Sequence, residues 1–205
     1  MPRMAKNFQT QLPPVFEASE AEYFMAGYAA PAHLLMRLVA HGELIRLRRG
    51  LYADAQRLDH ILIANRLVSP SYVSFETALG HYGMIPERVE AIMSVTTHRG
   101  TKFSTPVGLF QFRNQKVEIF SSSYSVESKD GYSIRIATRE KALLDTVARM
   151  RVPATTMTTD EARRLVVEDL RIDESSLRSL SIRELRRLVP LYTSRAVAQL
   201  VLTLS

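Results

Sequence analysis

The sequence predicts an α+β protein in two parts. A small helical unit closed by a β-ribbon spans residues 1–57, and an α/β unit with a mixed or antiparallel sheet and a helical C-terminal end spans 58–205. Three observations lead there. Apolar residues recur at helical spacing up to Tyr82, alternate after Pro86, and return to helical spacing after Thr138. Turn residues fall at the changeovers, among them Gly83, Gly100, Pro106-Val107-Gly108 and Lys129-Asp130-Gly131. An apolar content of 46% over 205 residues lets each part bury a core.

The opening segment is polar and ends in Pro13-Pro14, which cannot continue a helix. Ser19, followed by Glu20 and Glu22, reads as an N-cap with an acidic first turn, giving a helix to Ala26 that stops at Gly27. Pro31 suits the first turn of a second helix, where its missing N–H costs nothing. Leu34, Leu35, Leu38 and Val39 form the inward stripe of that helix, and His41-Gly42 ends it. Leu44, Leu47 and Leu51-Tyr52 then mark a strand pair turning at Arg49-Gly50. Asp59 caps a helix to Val68, stopped by Ser69-Pro70, and a further helix runs from Ser74 to Tyr82. Residues 91–96, 109–113, 117–120 and 132–137 read as strands. Thr138 caps a helix that buries Ala142, Leu143, Val147 and Met150. Thr158-x-x-Glu161 and Ser181-x-x-Glu184 match capping boxes, and a last helix carries Ala196, Val197, Leu200, Val201 and Leu204. The boundary between the two parts is expected at 53–58.

Basic residues exceed acidic ones by 27 to 21, and the excess is spread evenly, with a net +2 in each of 1–57, 58–150 and 151–205. No tail supplies the charge, so a polyanion footprint must come from local clustering. Arginine dominates lysine, which suits phosphate and guanine recognition but equally reflects a GC-rich genome. There is no cysteine, hence no disulfide, thiolate zinc site or cysteine nucleophile. No apolar run approaches a membrane span and the N-terminus lacks a signal-peptide core, so a cytoplasmic location with no membrane partner is expected.

Helix, tight turn, helix and two-stranded ribbon is the element order of a winged helix-turn-helix, and double-stranded DNA is the partner that order predicts. On the outward side of the second helix sit Ala32, His33, Met36, Arg37 and Ala40. The small residues allow close approach to the major groove, while His33 and Arg37 can meet base edges or phosphates. The ribbon carries Arg46, Arg48 and Arg49; a period of two points Arg46 and Arg48 to one face, with Arg49 at the tip. The competing expectation is a winged helix used for protein contact, with these arginines merely solvated.

His41-Gly-Glu-Leu-Ile-Arg-Leu-Arg-Arg-Gly-Leu-Tyr52 resembles the wing of abortive-infection type IV antitoxins of the AbiEi kind, with their Leu-x-Arg-x-x-Arg-Gly-x-Tyr pattern. Ile63-Ala-Asn-Arg-Leu-Val-Ser-Pro-Ser-Tyr-Val-Ser-Phe-Glu-Thr-Ala-Leu79 is similar to the segment that follows, and Ser94-Val-Thr96 and Ile136-Ala-Thr-Arg-Glu-Lys-Ala-Leu-Leu-Asp145 match two later markers. The resemblance runs from Phe16 to Met150. It implies a transcriptional autorepressor that binds operator inverted repeats, and an antitoxin that counters a nucleotidyltransferase-like toxin encoded beside it, with or without direct contact.

Two alternatives stay open: a winged-helix regulator whose second part senses a ligand or oligomerises, and a metal-dependent restriction-like nuclease. The nuclease reading rests on Glu127-Ser-Lys129, an acidic-x-Lys pair, with Glu118 as a second carboxylate. The same residues also read as a charged hairpin turn. His33, His41, His60, His81 and His98 show no metal-ligand spacing, and no phosphate loop or nucleophile elbow occurs, so neither an enzyme nor a cofactor is expected. Lys141 and Asp145, at i,i+4, are expected to form a surface ion pair beside Glu140. Ser74, Glu76, Thr96, Arg99 and Lys102 lie at a helix start and beyond a strand end, and form a possible antitoxic surface.

Overall fold

A computed structural model describes residues 11–25, 27, 29–86, 90–150 and 158–204. It is a mixed α+β structure with ten α-helices among those residues and two sheets, one of three strands and one of six.

The chain enters through β1 (Val15–Glu17), α1 (Ala18–Phe24) and α2 (Pro31–Ala40), then runs through the ribbon β2 (Leu44–Arg48) and β3 (Leu51–Asp54). The N-cap of α1 is Glu17 rather than the expected Ser19: a capping box links Glu17 and Glu20, so Ser19 lies inside the helix. The predicted end of α1 at Ala26 lies outside the described residues. Pro31 opens α2 as expected, and Gly50, at φ 80°, makes the ribbon turn. The first sheet is antiparallel with β3 in the middle.

That central strand is buried along its whole length. On one side Tyr52 joins Phe16, Leu34, Leu35, Leu38 and Leu44 in a small core under α1 and α2. On the other, Val15, Leu47, Leu51 and Ala53 join the main core of the molecule. A strand covered on both faces reads as a continuous apolar run, which is why Leu51-Tyr-Ala53 does not alternate.

Asp59 caps α3 (His60–Leu67) by accepting from the Ile61 and Leu62 amides. The second sheet contains β4 (Ser71–Val73), β5 (Ala91–Thr96), β6 (Thr101–Thr105), β7 (Gly108–Asn114), β8 (Tyr124–Lys129) and β9 (Tyr132–Ala137), in the order β6-β7-β5-β4-β9-β8. It is mixed: β4 pairs parallel with β9 and β5 with β7, while the other pairs are antiparallel. Where short β4 leaves that edge of β9 open, the Asn65 side chain donates to the Arg135 carbonyl and accepts from its amide, completing the ladder.

Helix α4 (Phe75–His81) follows β4, and α5 (Val117–Phe120) is a single turn where the sequence predicts a strand. Val-Glu-Ile-Phe alternates like a strand, but bonds from the Phe120 and Ser121 amides back to Lys116 and Val117 close it as a helix. Helix α6 (Arg139–Arg149), capped by Thr138, packs against α4 and touches β9. The end of the chain folds as α7 (Thr159–Arg164), a π-helical turn at Leu165–Asp169, α8 (Glu174–Arg178), α9 (Ile182–Leu188) and α10 (Arg195–Leu204). The Thr158–Glu161 capping box is complete. At Ser181 only half of it forms: its amide donates to Glu140, and the Glu184 carboxylate serves Ser123 and Arg187.

Two sets of contacts define the faces of the large sheet. Ser71 bonds to the Ala64 and Val68 carbonyls at α3, whereas Tyr72 and Ser74 meet residues of the α6 side. Alternation and register carry this outward, placing Met93, Val95, Gln111, Arg113 and Lys102 on the α6 face.

Candidate functional site

On α2, Ala32, His33, Met36, Arg37 and Ala40 are all exposed, with Met36 at 58%. Leu34, Leu35 and Leu38 face the core, so the predicted division of the helix into two faces is present. Arg37 and His33 have no side-chain partner among the described residues. The Arg37 carbonyl, in contrast, is engaged by His41 Nδ1 at 2.7 Å.

The ribbon departs from the period-two expectation. Arg46 pairs with Tyr52 and Arg48 with Leu51, so Leu47 is an extra residue, a β-bulge. Directly opposed residues in an antiparallel pair share a face. Arg46 therefore lies on the Tyr52 side, with α2, and Arg48 on the Leu51 side, away from it. There Arg48 Nη2 reaches across β3 to Glu17 Oε1 at 2.7 Å and Nη1 donates to the Arg49 carbonyl. Arg46 and Arg49 remain exposed. The bulge thus removes one of the three predicted ribbon arginines from the face that α2 presents.

The polar group expected at the second part divides differently again. Ser74 and Thr96 are at 0% exposure, so neither is presented to a partner. Ser74 Oγ donates to Asp145 Oδ2 at 2.7 Å, and Thr96 Oγ1 to the Pro70 carbonyl at 2.8 Å. Glu76 is ion-paired with Arg149. Only Arg99 and Lys102 are exposed.

The expected surface pair Lys141–Asp145 is in fact a buried centre, with both side chains at 0% exposure. Lys141 Nζ spends its three protons on Asp145 Oδ1 (2.6 Å), Gln115 Oε1 (3.2 Å) and Tyr192 Oη (3.0 Å). Asp145 Oδ1 also accepts from Gln115 Nε2 (2.7 Å) and the Tyr192 hydroxyl (2.6 Å). Tyr72 donates to Gln115 at 3.2 Å, and the rings of Tyr72 and Tyr192 lie against the ammonium. Burial pulls the Lys141 pKa down, partly opposed by Asp145. Burial, reinforced by the Asp145 charge, pushes the Tyr72 and Tyr192 hydroxyls up. The hydroxyls therefore stay protonated donors, and the network ties β4, α6 and the segment before α10 together.

Glu127 and Lys129 are drawn apart. Lys129 Nζ donates to Asp59 Oδ2 at 2.8 Å, while Glu127 lies 3.7 Å from His81 Nε2. Both residues sit on strand β8, and the turn is confined to Asp130-Gly131. Burial works against ionising Asp59. Bonds from Lys129, the Leu62 amide and Tyr132 prevail and hold its carboxyl below the usual range. Among the described residues no three His, Asp or Glu side chains gather where a metal could be held, and no helix is long and apolar enough to cross a membrane.

A recess with no marker in the sequence lies on the α6 face of the large sheet, at its β6–β7 end. It has a volume of about 520 Å³ and is lined by Lys102, Arg113, Gln115, Phe75, Asp145 and Arg149, among others. Gly100 lies at its edge, where the chain passes so close to β7 that a Cβ would meet the Phe112 carbonyl at 3.0 Å.

No family model and no curated protein matches the sequence. Among solved structures, the crystal structure of the RV2827C protein from Mycobacterium tuberculosis superposes with a TM-score of 0.59, covering 100% of this chain and 78% of that one at 13% identity. At that identity the likeness is one of fold.

Proposed function

We propose that the chain is a DNA-binding autorepressor and antitoxin, not an enzyme, and that α1, α2 and the β2–β3 ribbon act as a winged helix-turn-helix. The observation that carries the DNA reading is the exposed face of α2, with His33 and Arg37 unpaired among the described residues, beside a ribbon that keeps Arg46 and Arg49 exposed. The charge excess is spread evenly along the sequence, so this local grouping is what supports a footprint. In a groove, α2 would set Arg37 against a guanine edge or phosphate, Met36 against apolar base edges, and the ribbon arginines against the flanking backbone.

The antitoxin half of the reading is supported by four sequence markers in the order found in AbiEi-like antitoxins. Their partner would be a nucleotidyltransferase-like toxin. Two experiments test the proposal. Affinity for the chain's own promoter should fall steeply with salt, and Arg37→Ala, Arg46→Ala and Arg49→Ala should each flatten that slope by roughly one unit. Co-expression with the product of the neighbouring open reading frame should rescue growth. Salt-independent or absent DNA binding overturns the first half, and failure of rescue the second.

A further inference from the structure

The recess on the α6 face is a consequence of how the layers overlap. Helices α4 and α6 cover Met93 and Val95, which are buried. On the same face the outer strands continue past the helices, leaving Lys102 and Arg113 exposed and Gln111 half-buried. The result is a corner whose floor is the sheet and whose wall is Phe75 with the last turns of α6, Asp145 to Arg149.

Its charge is one-sided. Lys102 and Arg113 have no acidic partner among the described residues, and Arg149, the third cation, shares Glu76. Among the described residues the one carboxylate lining it, Asp145, is neutralised by Lys141 and saturated by Gln115, Tyr192 and Ser74. Cations on β6, β7 and α6 thus surround a single volume, while Phe75, Val95 and Ala148 supply an apolar side.

We propose that this corner binds a small organic phosphate with an apolar, flat body, of mononucleotide size. The volume lies in the range of small-molecule sites. A phosphate monoester carries close to two negative charges and several acceptor oxygens, which matches converging cations on three separate elements better than one carboxylate does. The proposal does not rest on the DNA-binding reading.

The test is calorimetric titration of the full chain with ribonucleoside 5′-monophosphates, with inorganic phosphate, with succinate as an anion lacking phosphorus, and with uncharged adenosine. A mononucleotide should bind more tightly than succinate, and adenosine should not bind. Lys102→Ala and Arg113→Ala, both at exposed positions and checked for unchanged melting, should each weaken nucleotide binding about tenfold. Arg46→Ala should leave it unchanged. The proposal falls if no mononucleotide binds, if succinate binds as well as the nucleotides, or if the loss appears in Arg46→Ala and not in the two corner variants.

Discussion

A lysine and an aspartate four residues apart on a helix look the same in sequence whether they face water or core. Lys141, Asp145 and Arg149 recur every four residues and read as a solvated stripe of α6, but Tyr72, Gln115 and Tyr192 close over the first two and take them out of water. Removing one partner strands the other charge without water. Asp145→Asn or Lys141→Met should therefore cost about 3–5 kcal/mol in denaturant unfolding, and replacing both with apolar residues should cost less than either alone. Ser74 and Thr96 are likewise buried against partners distant in sequence, Asp145 and Pro70. If the ribbon grips DNA as proposed, Arg48→Ala should leave the salt dependence of binding unchanged while Arg46→Ala reduces it. An equal loss from both would mean that the Glu17 pair opens on DNA.

Elements with strong periodic or capping signals were legible: α2, α3, α6, β5, β9 and the ribbon fall where the sequence puts them. Short and polar ones were not. Three-residue β1 and β4 are too brief for a period to show, and β6 and β8 carry enough Ser, Thr and Lys to read as turns. The bulge at Leu47 has no residue signature, and it alone changes which face Arg48 occupies. The start of α3 shows how a cap doubles as a tertiary clamp, since Asp59 holds the helix amides together with Lys129 and Tyr132 of the β8–β9 hairpin. Its carboxyl is held below the value of about 3.9 that it has when unfolded. The stabilisation is then fully present above that value and is lost as pH falls through the folded pKa. Asp59→Asn keeps the cap but not the charge. Its melting temperature should be lower than wild type at neutral pH, with the gap closing in acid; a gap that persists in acid would leave no role for the charge.

At the scale of the molecule, β3 is the wall between two cores. The small core cannot be lifted away without uncovering Val15, Leu47, Leu51 and Ala53. Thermal unfolding followed by far-UV circular dichroism and by amide exchange in α2 should therefore give one midpoint; two well-separated transitions would mean that the wall holds only one side. The even spread of charge was plain from composition, but which cations remained unpaired was not, because pairing depends on register and packing. A reader of inverted repeats commonly hangs from a linker that forgives changes in half-site spacing. Here α2, the helix proposed to read DNA, packs on a strand that the two cores share. Two copies on an operator would then act as a ruler of fixed gauge. Inserting a few base pairs between the half-sites should abolish joint occupancy outright, and restoring a full helical turn should not fully recover it.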